Sequence, residues 1–209
     1  MKEADKLIVF DTETTGLDFE EDEIIQLSII NADGDVLFNE YIKPEKKTEW
    51  PSAQKVHGIS PEMLTDKHGY SEYVDEVRKI FNKAEVIVAY NNAYDVEMLR
   101  KWGIDLDDKI QEDVMKDFAL YYGEYVPAYS EFKWQKLTKC AEYFGYEFKA
   151  HDSLEDVRAT LFCYRELEKL KESGEYMNRV KENIERIWGV KDKEEVSPKK
   201  KTGIMKGGG

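Results

Sequence analysis

Two short, continuous apolar runs constrain this chain most: "LIVF" at residues 7–10 and "VIVAY" at residues 86–90. A strand with one wet face alternates apolar and polar side chains. A strand covered on both faces does not, and these runs read as strands of that buried kind. Around them, "IIQLSIINADGDVLFNEYIKP" reads as a β-hairpin turning at Asn31, Ala32, Asp33 and Gly34. A further short strand is expected near Ile110. Helical spacing marks "SEYVDEVRKIFNKA", "NNAYDVEMLRKWG", a segment at about 113–122, "KWQKLTKCAEYFG", "DSLEDVRATLFCYRELEKLKESG" and residues 175–189. Residues 44–70 and 123–132 read as loops. Hairpin strands first, then alternating strands and helices, predict an α/β fold: a mixed sheet with helices packed on its faces.

The 209 residues suffice for one domain with a sizeable core. The reading divides them into a main domain at 1–174, a helical extension at 175–190, and a charged, glycine-rich tail at 191–209 expected to be disordered. No apolar run of about 18 residues is present, so no membrane span is expected. Cys140 and Cys163 fall in apolar helical patterns and read as reduced buried thiols of a cytoplasmic protein. The net charge of −13 argues against a sequence-reading DNA binder. It leaves room for an enzyme that grips a strand end through cations.

"LIVF" runs straight into "DTETTGLD". Residues two apart on a strand share a face, so Asp11 and Glu13 point together. Like charges so placed repel unless a cation intervenes, and hard divalent cations favour such oxygen ligands. Asp95 lies in the first turn after the second buried strand, near where open sheets form their ligand crevices. "HDSLEDVRAT" adds His151, of the residue type best suited to proton transfer near neutrality, and Asp156 near a helix start. Each has a plainer reading. Asp11 and Glu13 can be surface acids, Asp95 a dipole partner, Asn91 an N-cap, Asp156 part of a capping pattern with Ser153, and His151 a surface histidine. All being incidental, in this order, is the weaker explanation.

Together these segments resemble the DEDDh 3′–5′ exonucleases, the family that includes the proofreading epsilon subunit of bacterial DNA polymerase III. "FDTETTGLD" is similar to the first motif, "VAYNNAYDVEML" to the second and "HDSLEDVRAT" to the third. "AQKVHGISPEML" resembles the linking segment. The likeness covers roughly residues 6–170. Tyr90 and Tyr94 stand where histidine and phenylalanine are common.

The resemblance implies a ribonuclease-H-like mixed sheet of about five strands with flanking helices. It implies two Mg²⁺ ions, replaceable by Mn²⁺, held by Asp11, Glu13, Asp95 and Asp156, about 3.5–4 Å apart and clamping an in-line displacement. His151 would be the general base, and nucleoside 5′-monophosphates would leave from a 3′ end. Thr14, Leu17 and His57 would meet the terminal nucleotide, with Asn91 both capping a helix and organising the site. The implied substrate is single-stranded or frayed DNA in proofreading or repair, with RNA end-trimming as the alternative. A DNA polymerase is the implied partner. The aromatic stretch from Tyr121 to Gln135 reads as packing for the most part, with a stacking platform as the alternative. Lys199 to Lys201 read as a solvated run. Met177, Val180, Ile184, Ile187 and Trp188 form an apolar helical face, expected to cover the chain's own core, with docking on a polymerase as the alternative.

Overall fold

The computed structural model describes residues 2–189. The tail from Lys191, with Lys199 to Lys201, lies outside the described residues. Five strands form one sheet in the order β3-β2-β1-β4-β5: β1 Leu7–Thr14, β2 Ile24–Asn31, β3 Val36–Tyr41, β4 Val86–Ala89 and β5 Ile110–Asp113. β1, β2 and β3 pair antiparallel, whereas β4 runs parallel to both β1 and β5. The expected mixed five-stranded sheet with helices around it is present.

The unbroken apolar runs are explained by two cores, one on each face. Ile8 and Phe10 face α2 (Tyr70–Lys83) and α3 (Asn92–Arg100), packing with Val77, Phe81, Val96 and Leu99. The Phe10 and Phe81 rings meet edge to face at 5.2 Å. Val9 and Val88 face the other way. They meet α4 (Val114–Tyr122), α5 (Leu137–Phe144) and α6 (Ser153–Ser173) through Phe118, Cys140, Val157 and Leu161. A period-two strand between two helical layers has no position for a polar residue until it leaves them. Both cysteines are free and buried in the second core. Among the described residues, no helix is long and apolar enough to cross a membrane.

β1 itself runs through Asp11 and Glu13, as their shared face requires, and on to Thr14, because β2 pairs with it that far. Two local expectations are corrected. Residues 44–70 contain α1 (Pro51–His57), with Pro51 in its first turn and Gly58 as its left-handed C-cap, and a 3₁₀ turn at Pro61–Leu64. Residues 123–132 contain a small hairpin, β6 (Tyr125–Val126) with β7 (Glu131–Phe132).

The last helix, α7 (Glu175–Trp188), buries Tyr176, Val180 and Asn183 against the second core. Its buried face is therefore turned from the one expected: Val180 is inside, Ile187 half-buried, and Met177, Ile184 and Trp188 exposed. The polar Asn183 drives this turn. Its amide donates to the carbonyls of Leu120 and Tyr121 at 2.9 and 3.0 Å, satisfying the C-terminus of α4. Gly123 follows at φ +78°, and a side chain there would overlap Asn183. Asn183→Ala strands those carbonyls and should cost about 1–3 kcal/mol in urea unfolding. A loss below about 0.5 kcal/mol would contradict this account of the helix end.

Candidate active site

β4 pairs with β1 only at Leu7, Ile8 and Val9. β1 runs five residues further, from Phe10 to Thr14, so its edge on that side is open. Asp95, in the first turn of α3, closes on this edge. Its Oδ1 accepts hydrogen bonds from the Thr12 amide at 3.2 Å and the Thr12 hydroxyl at 2.6 Å. Asp95 is 3% exposed. Asp11 and Glu13 flank Thr12 and share the other face of the strand.

The start of α6 arrives on that face. Ser153 Oγ donates to the Asp11 carbonyl at 3.0 Å, anchoring the helix to the strand. Asp152, not Ser153, is the N-cap, accepting from the amides of Leu154 and Glu155 at 3.1 and 3.4 Å. Asp156 is thereby left free of capping. It accepts instead from the His151 amide, at 3.2 and 3.3 Å to its two oxygens. His151 has φ +70°, a left-handed conformation that costs a non-glycine residue roughly 1–3 kcal/mol. The reversal turns its exposed ring back towards the carboxylates. Ligand atoms of Glu13, His151 and Asp156 lie within 4.8 Å of one another.

Four carboxylates crowd one another here. Burial, then the charges of Asp95, Glu13 and Asp156, push Asp11 well above the usual carboxylate range. Burial, followed by Asp156 and Asp95, raises Glu13 to about 8. Burial raises Asp95 to about 7 against the opposing hydrogen bonds from Thr12. Burial also raises Asp156 to about 7 despite the His151 amide. The donor set is carboxylate oxygens with one imidazole, on converging backbones, each acid short of positive charge. It fits hard divalent cations. Asp11, Glu13, Asp95 and Asp156 are brought together as expected. The tight group of three, however, includes His151 and not Asp11 or Asp95.

The expected substrate contacts surround this cluster. Leu17 is 82% exposed at the tip of the loop after β1. Thr14 is buried, and its hydroxyl bonds the Gly16 carbonyl at 2.7 Å. The Tyr94 hydroxyl reaches the same carbonyl at 2.6 Å, so both shape the turn beneath Leu17. Gly16 abuts the buried Asp22 carboxylate, where a side chain would overlap it. His57 borders a hollow that also reaches His151. Its Nδ1 accepts from the Ile59 amide at 3.0 Å, which leaves Nε2–H to donate to the Thr14 carbonyl at 3.2 Å. Burial lowers the pKa of His57, keeping it neutral.

Asn91 occupies the N-cap position of α3 but makes no side-chain capping bond there. Its φ of +73° supplies the reason for asparagine, which tolerates the left-handed region. Sequence reasoning missed Thr12 and Ser153, the two hydroxyls that fix Asp95 and α6 to β1. Their only signal was position, between and beside the acids.

The exonuclease family model of ribonuclease T type matches residues 8–164. The chain belongs to this family of phosphodiester hydrolases. It is 30% identical over 169 residues to exonuclease CP81 of Escherichia phage 186, covering 75% of this chain and 85% of that protein. It is 30% identical over 192 residues to DNA polymerase III PolC-type of Thermotoga maritima, covering 85% of this chain but only 13% of that protein. The epsilon subunit of DNA polymerase III of Escherichia coli is 35% identical over 98 residues, 43% of this chain and 40% of the subunit. The fold is similar to that of E. coli exonuclease I crystallised with a dA16 oligonucleotide, with a TM-score of 0.66 and 21% identity over 82% of this chain and 42% of that one.

An acid whose pKa is raised on folding stabilises the fold while protonated and loses that contribution as pH rises through the folded value. Here the window runs from about 4 to about 8. In EDTA, the melting temperature should fall between about pH 5 and pH 8. Added Mg²⁺ or Mn²⁺ should raise it, by more at the upper pH, where protons no longer compete. Asp11→Asn should raise the melting temperature in EDTA near pH 8 and remove most of the metal response. Scanning fluorimetry checks this; an equal metal response at both pH values would refute it.

Proposed function

We propose that the chain removes nucleoside 5′-monophosphates from the 3′ end of single-stranded or frayed DNA. The observation that carries this reading is the convergence of Asp11, Glu13, Asp95, His151 and Asp156, from three separate segments, at one open strand edge. Divalent cations bound by the four carboxylates, Mg²⁺ on this reading with Mn²⁺ able to replace it, would offset their charge and lower the pKa of attacking water.

The chain's own groups account for the rest. Asp95, held by Thr12, and Asp156, held by the His151 amide, are set in place before substrate arrives. His151, exposed beside Glu13 and Asp156, accepts the proton of the attacking water on its imidazole. Leu17 and the neutral His57 receive the terminal nucleotide, packing against the base without reading its edge. Relatives named as a PolC-type DNA polymerase III and as the epsilon subunit of DNA polymerase III support DNA as substrate and a polymerase as partner.

Digestion of 5′-labelled oligonucleotides, DNA and RNA, single- and double-stranded, tests the proposal. A descending ladder on single-stranded DNA is expected with Mg²⁺, and none in excess EDTA or with Asp11→Ala. His151→Ala should lower kcat by roughly 10²–10⁴-fold with a smaller change in KM. Cleavage that persists in EDTA would refute the metal requirement, and faster digestion of RNA would move the substrate to the other sugar.

The left-handed backbone at Asn91 gives a second check. Asn91→Gly should keep both stability and activity, while Asn91→Ala should cost about 1 kcal/mol in strain. Equal stability of the two would mean that the side chain, not the backbone, is what the position requires.

A further inference from the structure

The aromatic stretch from Tyr121 to Gln135 divides into two groups. Tyr121, Tyr122, Tyr125 and Phe132 pack inside the chain, against partners that include Phe118, Tyr143 and Trp188. Tyr129 and Trp134 face outwards, 77% and 57% exposed. The hairpin that presents them is braced. Tyr125 and Phe132 meet the Trp188 ring of α7 edge-on at 5.3 and 6.0 Å. Lys133 pairs with Glu124 at 2.7 Å, and Gln135 donates to the same carboxylate at 3.0 Å. Two large apolar rings are thus held in water on a fixed support.

Their position relates them to the candidate site. Tyr129 and Trp134 line one hollow over the hairpin. Trp134 also borders the next hollow, together with Lys136, His151 and Asp156. His151 in turn borders the hollow that contains His57. A continuous surface therefore runs from the hairpin, past the acids, to the place given above to the terminal nucleotide. An enzyme working from an end needs room for one nucleotide on one side of the acids. The rest of the strand leaves by the other.

We propose that Trp134 and Tyr129 form a stacking track for unpaired bases of the DNA strand upstream of the cleaved end. The inference rests on the exonuclease reading, which it deepens by assigning the strand's path. The chain's charge of −13 explains why stacking is needed: phosphate attraction alone is weak on such a surface. Lys136, exposed in the shared hollow, supplies a local cation. Base–ring stacking tolerates any sequence and excludes paired bases.

The test uses the full chain and thymidine oligonucleotides. First, oligonucleotides carrying one photoreactive 5-iodouracil at successive positions from the 3′ end are crosslinked in Mg²⁺ to the slow His151→Ala chain, and the joined residue is mapped by mass spectrometry. Crosslinks to Trp134 and Tyr129 are expected from upstream positions and not from the terminal one. Second, KM is compared for substrates of about 3 and about 12 nucleotides. The advantage of the longer strand should shrink about tenfold in Tyr129→Ala/Trp134→Ala and be largely kept in Trp134→Phe. Both positions are exposed, so the fold is not at risk. Cleavage with no hairpin crosslink and an unchanged length dependence would overturn the track and leave the exonuclease reading standing. Upstream crosslinks on a chain that cuts nothing would keep the track and overturn the hydrolytic reading.

Discussion

The hydrogen bonds from Thr12 to Asp95 close a strand edge that the sheet leaves open, and the site is built around that edge. β1 needs partners beyond the end of β4, because its amides cannot be left bare in a buried position. A carboxylate from α3 supplies one. The same overrun carries Asp11 and Glu13 out of the two apolar cores and into the crevice. Had β4 been longer, its own carbonyls would fill this space. The unequal strand lengths are therefore what make a cleft out of a sheet.

Electrostatics then sets the chemistry. The fold drives Asp11, Glu13, Asp95 and Asp156 together, and each is raised by burial before any neighbouring charge is counted. Crowded acids without a cation oppose folding near neutral pH. The arrangement persists because the surrounding cores, with Ile8, Phe10 and Val9 locked between helical layers, stabilise it independently. Stability from the cores is thereby used to hold a charge arrangement that protons relieve at low pH and a cation would relieve near neutrality.

The periphery follows a similar division of labour. α7 contributes Asn183 to the end of α4 and Trp188 to the hairpin, so one terminal helix both seals a helix end and braces a surface near the acids. The loop bearing Leu17 is stiffened from below by Thr14, Tyr94 and Asp22. The exposed residues around the site thus stand on packed supports, which favours recognition with little ordering cost.

The amino-acid sequence by itself determined the sheet, most helices and the five acidic and histidine positions. Period-two and period-3.6 patterns report burial directly, and the spacing of Asp11 with Glu13 fixes a shared face. Boundaries that depend on pairing were not legible. How far β1 ran beyond Glu13 was decided by β2, a partner elsewhere in the chain. Asp152 rather than Ser153 caps α6 because Ser153 is drawn to the Asp11 carbonyl. Asn91 serves its backbone and not as a capping side chain. The exposed face of α7 was misjudged because a buried asparagine outweighed an apolar stripe. In the aromatic stretch, composition is the same for rings that pack and rings that face water. Only tertiary contacts, Trp188 beneath and His151 alongside, separate them, since what a ring touches is set by residues far from it in the chain.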